Sequence, residues 1–160
     1  MFTEIPLFDG KTSLDLMLHV RKLILDEPNR ILMDIWGIRL QGDAYDEGVK
    51  DKMTMNHGRN FPSCGTVACL NGWMDYSMGK YNTQPYNALS YLPESPKNEA
   101  RALFGGSCII DYEIDDFIKI QPYPFPCPFS NSPEEYAQAV AENIDKFIER
   151  NREALEAHII

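Results

Sequence analysis

The sequence predicts a mainly α-helical domain with minor β and long irregular segments rich in proline and tyrosine. Three observations carry that reading. Apolar residues recur at helical spacing in several stretches, each with a capping residue or a proline near its start. Proline occupies alternate positions 122, 124, 126 and 128, which removes the donors that a helix or a central strand requires. The chain has 160 residues, 44% of them hydrophobic and 24% charged. That is an ordinary globular balance and the length of one domain, 1–160, with a core large enough to need no staples.

Taken in order, Ser13 is placed to cap a helix from about Leu14 to Asp26, with Leu14, Met17, Leu18, Ile24 and Leu25 on its apolar face. Pro28 ends it. A short amphipathic piece, RILMDIWG, stops at Gly37, and residues 38–62 form a long connection with turns at Gly42, Gly48, Gly58 and Pro62. Connections of that length are often either functional or poorly ordered. The next helix is expected to begin near Gly65 or Thr66 and run to about Met78, with Val67, Leu70 and Met74 as its core stripe and Gly79 at its end. Tyr81, Tyr86 and Tyr91 fall in an irregular stretch. Ser95-Pro96 opens a helix through KNEARALF, closed by Gly105-Gly106. CIIDYEIDDFIKI reads equally as a strand pair or a short helix, and QPYPFPCPFSNSP is extended. Ser132-Pro133-Glu134-Glu135 opens a long last helix through about Ala157, with Tyr136, Val140, Ile144, Phe147 and Ile148 on its buried face.

Charge narrows the function. With 24 acidic and 15 basic residues the net charge is −9. Long nucleic acid and anionic membrane surfaces draw most of their protein affinity from Lys and Arg, so neither is an expected partner. A small anion is not excluded, because a local cluster of donors suffices for one or two phosphates. No apolar run approaches the ~20 residues that span a bilayer, and the first residues lack the basic start and apolar core of a signal peptide. The expected compartment is the cytoplasm, where Cys64, Cys69, Cys108 and Cys127 are reduced by default.

The most informative segment is SCGTVACLNGW, Ser63 to Trp73. Read as a loop entering a helix, it offers free N–H groups at Cys64–Thr66, a glycine that lets a ligand approach the backbone, and a hydroxyl. The plainer reading makes Thr66 a cap, Ala68 and Gly72 packing residues, and Trp73 a core aromatic. Both stay open at this stage. A shared metal site is disfavoured. On a regular helix the C-x4-C spacing leaves the two thiols roughly 140° apart around the axis, and no second C-x2-C or H-x3-H is present. Cysteine catalysis would use Cys64, with His57 or His19 as base and Asp34 or Asp75 as orienting group. Ligand capture without chemistry would use Trp36, Trp73 and the loop tyrosines for stacking, Arg59, Arg39 and Lys80 for phosphate, and Asn71 for a base edge.

The pieces PNRILMDIW, PSCGTVACLNGWM and ARALFGG together resemble a family of small phage and bacterial proteins with a C-G-T-x-A-C-x-x-G-W motif. The resemblance spans roughly residues 14–148 and is sharp at the central motif. That family is taken to overlap with phage anti-CBASS sponges, which sequester a cyclic dinucleotide immune signal. The resemblance therefore implies a binding protein with no cofactor, with Cys64 to Thr66 and Trp73 at or behind the pocket, acting in the host cytoplasm if phage-encoded. Leu70-Asn71 departs from the Ile-Ala expected there, which puts a family role for Asn71 in doubt. The resulting expectation is stoichiometric capture of a small anionic ligand, a cyclic nucleotide first. Its candidate contacts are Cys64, Gly65, Thr66, Arg59, Trp36, Asn71 and Trp73. The alternatives are a Cys64-dependent enzyme and a protein-interaction domain. A pocket shared between subunits of an oligomer is compatible with each.

Overall fold

The apolar stripe at 13–26 forms the first helix, α1, Ser13–Asp26. Its N-cap is Thr12 rather than Ser13. The Thr12 hydroxyl accepts from the Asp15 N–H and the Asp15 carboxylate accepts from the Thr12 N–H, a reciprocal capping box. Asp15 also accepts from the Lys11 N–H, and these bonds hold its carboxyl below the usual aspartate range. The buried face is Leu14, Leu16, Met17, Val20, Leu23 and Ile24 together with Ser13, whereas Leu18 points outward. Gly10 stands where the preceding strap crosses the helix start. A Cβ there would lie 2.7 Å from both Asp15 Cβ and the Phe8 ring, so only glycine fits the crossing without a shift.

The computed structural model describes residues 3–33, 38–39, 62–64, 66–80, 87–104, 123–124 and 131–160. Among them the fold is mainly α, with one short antiparallel sheet. After α1 the chain makes a 3₁₀ turn at Pro28–Arg30 and then extends through Ile31 and Leu32; residues 34–37 of the short amphipathic piece expected there lie outside the described residues. Strand β1, Ile38–Arg39, pairs with β2, Thr66–Val67. Helix α2 is Leu70–Ser77 and ends at Gly79, whose φ of 76° is the left-handed conformation that glycine adopts at no steric cost. A 3₁₀ turn at Asn87–Tyr91 leads to α3, Lys97–Phe104, and the chain closes on α4, Pro133–Ala157.

Helix α4 matches its sequence signals closely. Ser132 and Glu135 form the capping box, Pro133 stands at N1, and all five expected core residues are buried. It packs chiefly on α1. At Asn151 the helix breaks regularity, with φ −127° and ψ 15°. The Asn151 amide donates to the Phe147 carbonyl at 3.0 Å and to Glu99 of α3 at 3.1 Å, so the side chain that occupies the kink also ties it to the neighbouring helix. Glu99 further accepts from the Tyr123 hydroxyl and pairs with Arg150 at 2.8 Å.

The C-terminal residues return to the start of α1. Ser13 N–H donates to the His158 carbonyl at 3.0 Å, and Ile160 N–H to the Lys11 carbonyl at 2.8 Å. Between the elements lies one cluster of buried apolar side chains, with Trp73, Tyr123, Tyr136, Phe104 and Phe147 its largest fully enclosed members. No helix among the described residues is long and apolar enough to cross a membrane.

Candidate functional site

The central motif is built differently from the helix entry expected of it. Thr66 and Val67 are a strand, and Ala68 forms a parallel bridge to Ile31, donating to the Arg30 carbonyl at 3.0 Å and accepting from the Leu32 N–H at 3.1 Å. Cys69 is then the N-cap of α2, and the helix starts at Leu70. Cys64–Thr66 therefore does not stand at a helix N-terminus, and the dipole argument for an anion there fails. The helical angle between Cys64 and Cys69 fails for the same reason. Both cysteines are buried and neither is in a disulfide, one lying in a turn and one at the cap. No cluster of three His, Cys, Asp or Glu suited to a metal occurs among the described residues.

The backbone carbonyl of Arg30 is the hub. It accepts from the Ala68 N–H and, at 2.7 Å, from Trp73 Nε1, so the fully buried indole satisfies its single polar group inside the core. The Arg30 guanidinium is itself buried. It donates to the Leu23 carbonyl at the end of α1 at 2.9 Å and pairs with Glu27 at 3.2 Å. Glu27 in turn accepts from the Ser63 N–H and, at 2.7 Å, from the Ser63 hydroxyl, while the Thr3 N–H donates to the Ser63 carbonyl at 2.9 Å. Ser63, shortly before β2, is thus pinned from both Glu27 and Thr3.

Of the residues expected at the site, Cys64, Thr66, Asn71 and Trp73 are all buried. The Cys64 thiol makes a long contact, 3.8 Å, to the Thr66 carbonyl, and the Thr66 hydroxyl returns to the Cys64 carbonyl at 3.4 Å. Asn71 Oδ1 accepts from the Ala88 N–H at 3.3 Å, which fastens the 87–91 turn to α2. Trp36, Arg59 and Gly65 lie outside the described residues, as do His57, Asp34, Cys108, Cys127, Tyr81, Tyr86 and the CIIDYEIDDFIKI segment. The backbone of Arg39 lies in β1. Lys80 is exposed, with Nζ 5.3 Å from the centre of the Tyr91 ring.

The remaining catalytic candidates are not gathered. His19 Nε2 lies 3.0 Å from the Pro6 carbonyl with its ring against Phe8, and partial burial lowers its pKa. It lines an open groove of about 530 Å³ with Phe8, Asp9, Lys11, Leu18 and Lys22. Asp75 instead receives the Tyr91 hydroxyl at 3.1 Å. Two residues central to this arrangement carry little sequence signal: Glu27 and Arg30 flank a proline as an ordinary i, i+3 pair, and nothing local shows that they reach Ser63, Leu23 and Trp73.

No family model, curated protein or solved structure matches this chain.

Proposed function

We propose that the protein is a non-catalytic binding protein that captures a small anionic ligand, a cyclic (di)nucleotide being the first candidate, and releases it uncleaved. The observation that carries the non-catalytic reading is the enclosure of Cys64. Its thiol is 4% exposed and faces the Thr66 carbonyl, with His19 and Asp75 each held by other partners. With no base beside it among the described residues, and closed off from solvent, the thiol is a packing group in this reading. The choice of ligand rests on the resemblance of the central motif. In this reading Cys64, Thr66, Asn71 and Trp73 form the rigid wall, and Trp36, Arg59 and Gly65 supply stacking, charge and close approach.

The test is incubation of the purified protein with cyclic mono-, di- and trinucleotides, removal of free ligand, and heat release. Capture returns one of them chemically intact, and Arg59→Ala weakens its retention tenfold or more, on the order of 1.4 kcal/mol. Recovery of a cleaved product would make the protein an enzyme. Retention of none would leave a protein-interaction domain.

A further inference from the structure

Asp75 occupies an unusual position for a carboxylate. It is 1% exposed and stands in the last turn of α2, where the carbonyl ends of the helix disfavour negative charge. Its own carbonyl accepts the N–H groups of Met78 and Lys80, as part of the helix end. One carboxyl oxygen, Oδ1, accepts from the neutral Tyr91 hydroxyl. The other, Oδ2, is buried with no hydrogen-bond partner. A buried carboxylate held by one neutral donor is costly, and the same group protonated is far less so.

Tyr91 is fastened at both of its polar ends. Its hydroxyl reaches Asp75 on α2, and its carbonyl accepts from the Ser13 hydroxyl on α1 at 2.5 Å. Ser13 Oγ is also 2.7 Å from His158 Nδ1. A carbonyl can only accept, so the single Ser13 proton is committed to Tyr91 and His158 must supply the N–H at Nδ1.

We propose that Asp75, Tyr91 and Ser13 form a proton-controlled latch: with Asp75 protonated the 87–91 turn is fastened between α2 and α1, and loss of that proton loosens the turn from α2. The groups facing the carboxyl account for the direction. From the turn comes Tyr91, a neutral donor whose own ionisation is pushed upward by burial and by Asp75. From beyond α2 comes Lys80, a cation that sits out in solvent over the Tyr91 ring and attracts the carboxylate weakly. Helix α1 presents apolar side chains and Ser13 to the core. On α3, Glu99 is engaged with Tyr123, Arg150 and Asn151. Burial outweighs Tyr91 and Lys80, and the Asp75 carboxyl is raised to about 6.

Amide hydrogen exchange on the full chain tests the latch, read at Ala88, whose N–H is held by Asn71, and at Leu92, whose N–H is held by Leu89. If opening restores an ordinary aspartate, protection corrected for intrinsic rate falls about tenfold between about pH 5 and pH 7.5. In Asp75→Asn that fall disappears and protection stays at its acidic value throughout. In Tyr91→Phe, which removes the one donor to the carboxylate, the Asp75 midpoint moves upward. The carboxyl-carbon resonance of Asp75 in the unaltered protein reports the proton directly. The latch is overturned if wild-type protection is flat across this range, if Asp75→Asn keeps the wild-type fall, or if the Asp75 resonance titrates in the ordinary carboxylate range.

Discussion

Arg30 and Asp75 are both charged side chains enclosed in the protein, 7% and 1% exposed, yet their surroundings differ. The Arg30 guanidinium meets an opposite charge, Glu27, and a helix-terminal carbonyl, Leu23, and Nε alone lacks a partner. Asp75 meets one neutral hydroxyl, and half of its carboxyl meets nothing. A buried charge with a partner is held in place by it, and breaking the pair strands the survivor in a poor solvent. A buried charge without one is stabilised by changing its protonation state instead. The same core thus contains a fixed strut and a group whose condition follows the medium.

Three substitutions sharpen that contrast. Glu27→Ala leaves the Arg30 guanidinium buried without its counter-charge and frees Ser63. The expected loss of stability in denaturant unfolding is about 4 kcal/mol, the largest of the three. Asp75→Asn should act in the opposite direction, because it keeps the Tyr91 acceptor and removes the charge. Below pH 3.8, the ordinary aspartate value, both folded and unfolded chains hold the proton. Between there and about 6 only the folded chain holds it, so the wild-type protein loses stability as pH rises through that window. The variant should match wild type in acid, lack the fall, and be more stable by about 3 kcal/mol above pH 7. Equal pH profiles for the two proteins would remove Asp75 from the comparison. Ser132→Ala takes only the α4 cap and provides the small reference, about 1 kcal/mol and independent of pH near neutrality.

The sequence made the outer helices legible and hid the join between them. At α1 and α4 the apolar stripe, the cap and the proline are local signals, and both helices appear within a residue or so of where those signals put them. Leu18 was misread because an extra leucine beside Met17 resembles core until its angle is set by the neighbours. The start of α2 was misread because what makes Thr66 and Val67 a strand is pairing with Ile38 and Arg39, far upstream. The core role of Trp73 was readable as one of two options. Its partner was not, since a backbone carbonyl carries no side-chain signature. The Glu27–Ser63 contact and the fastening of Tyr91 to Ser13 link positions dozens of residues apart, and spacing along the chain does not encode them.

The pairing of α1 with α4 has a bearing on how the chain is made. The surface that covers Leu16, Met17, Val20 and Ile24 is supplied largely by residues of α4, and the Met33 N–H waits for the Tyr136 hydroxyl, 2.8 Å away in the folded protein. Synthesis runs from the N-terminus at about 5–20 residues per second. The first helix therefore emerges from the ribosome several seconds before its lid exists. Closing a loop of that length is entropically slow as well. During that interval the apolar face of α1 is without the helix that covers it in the finished protein.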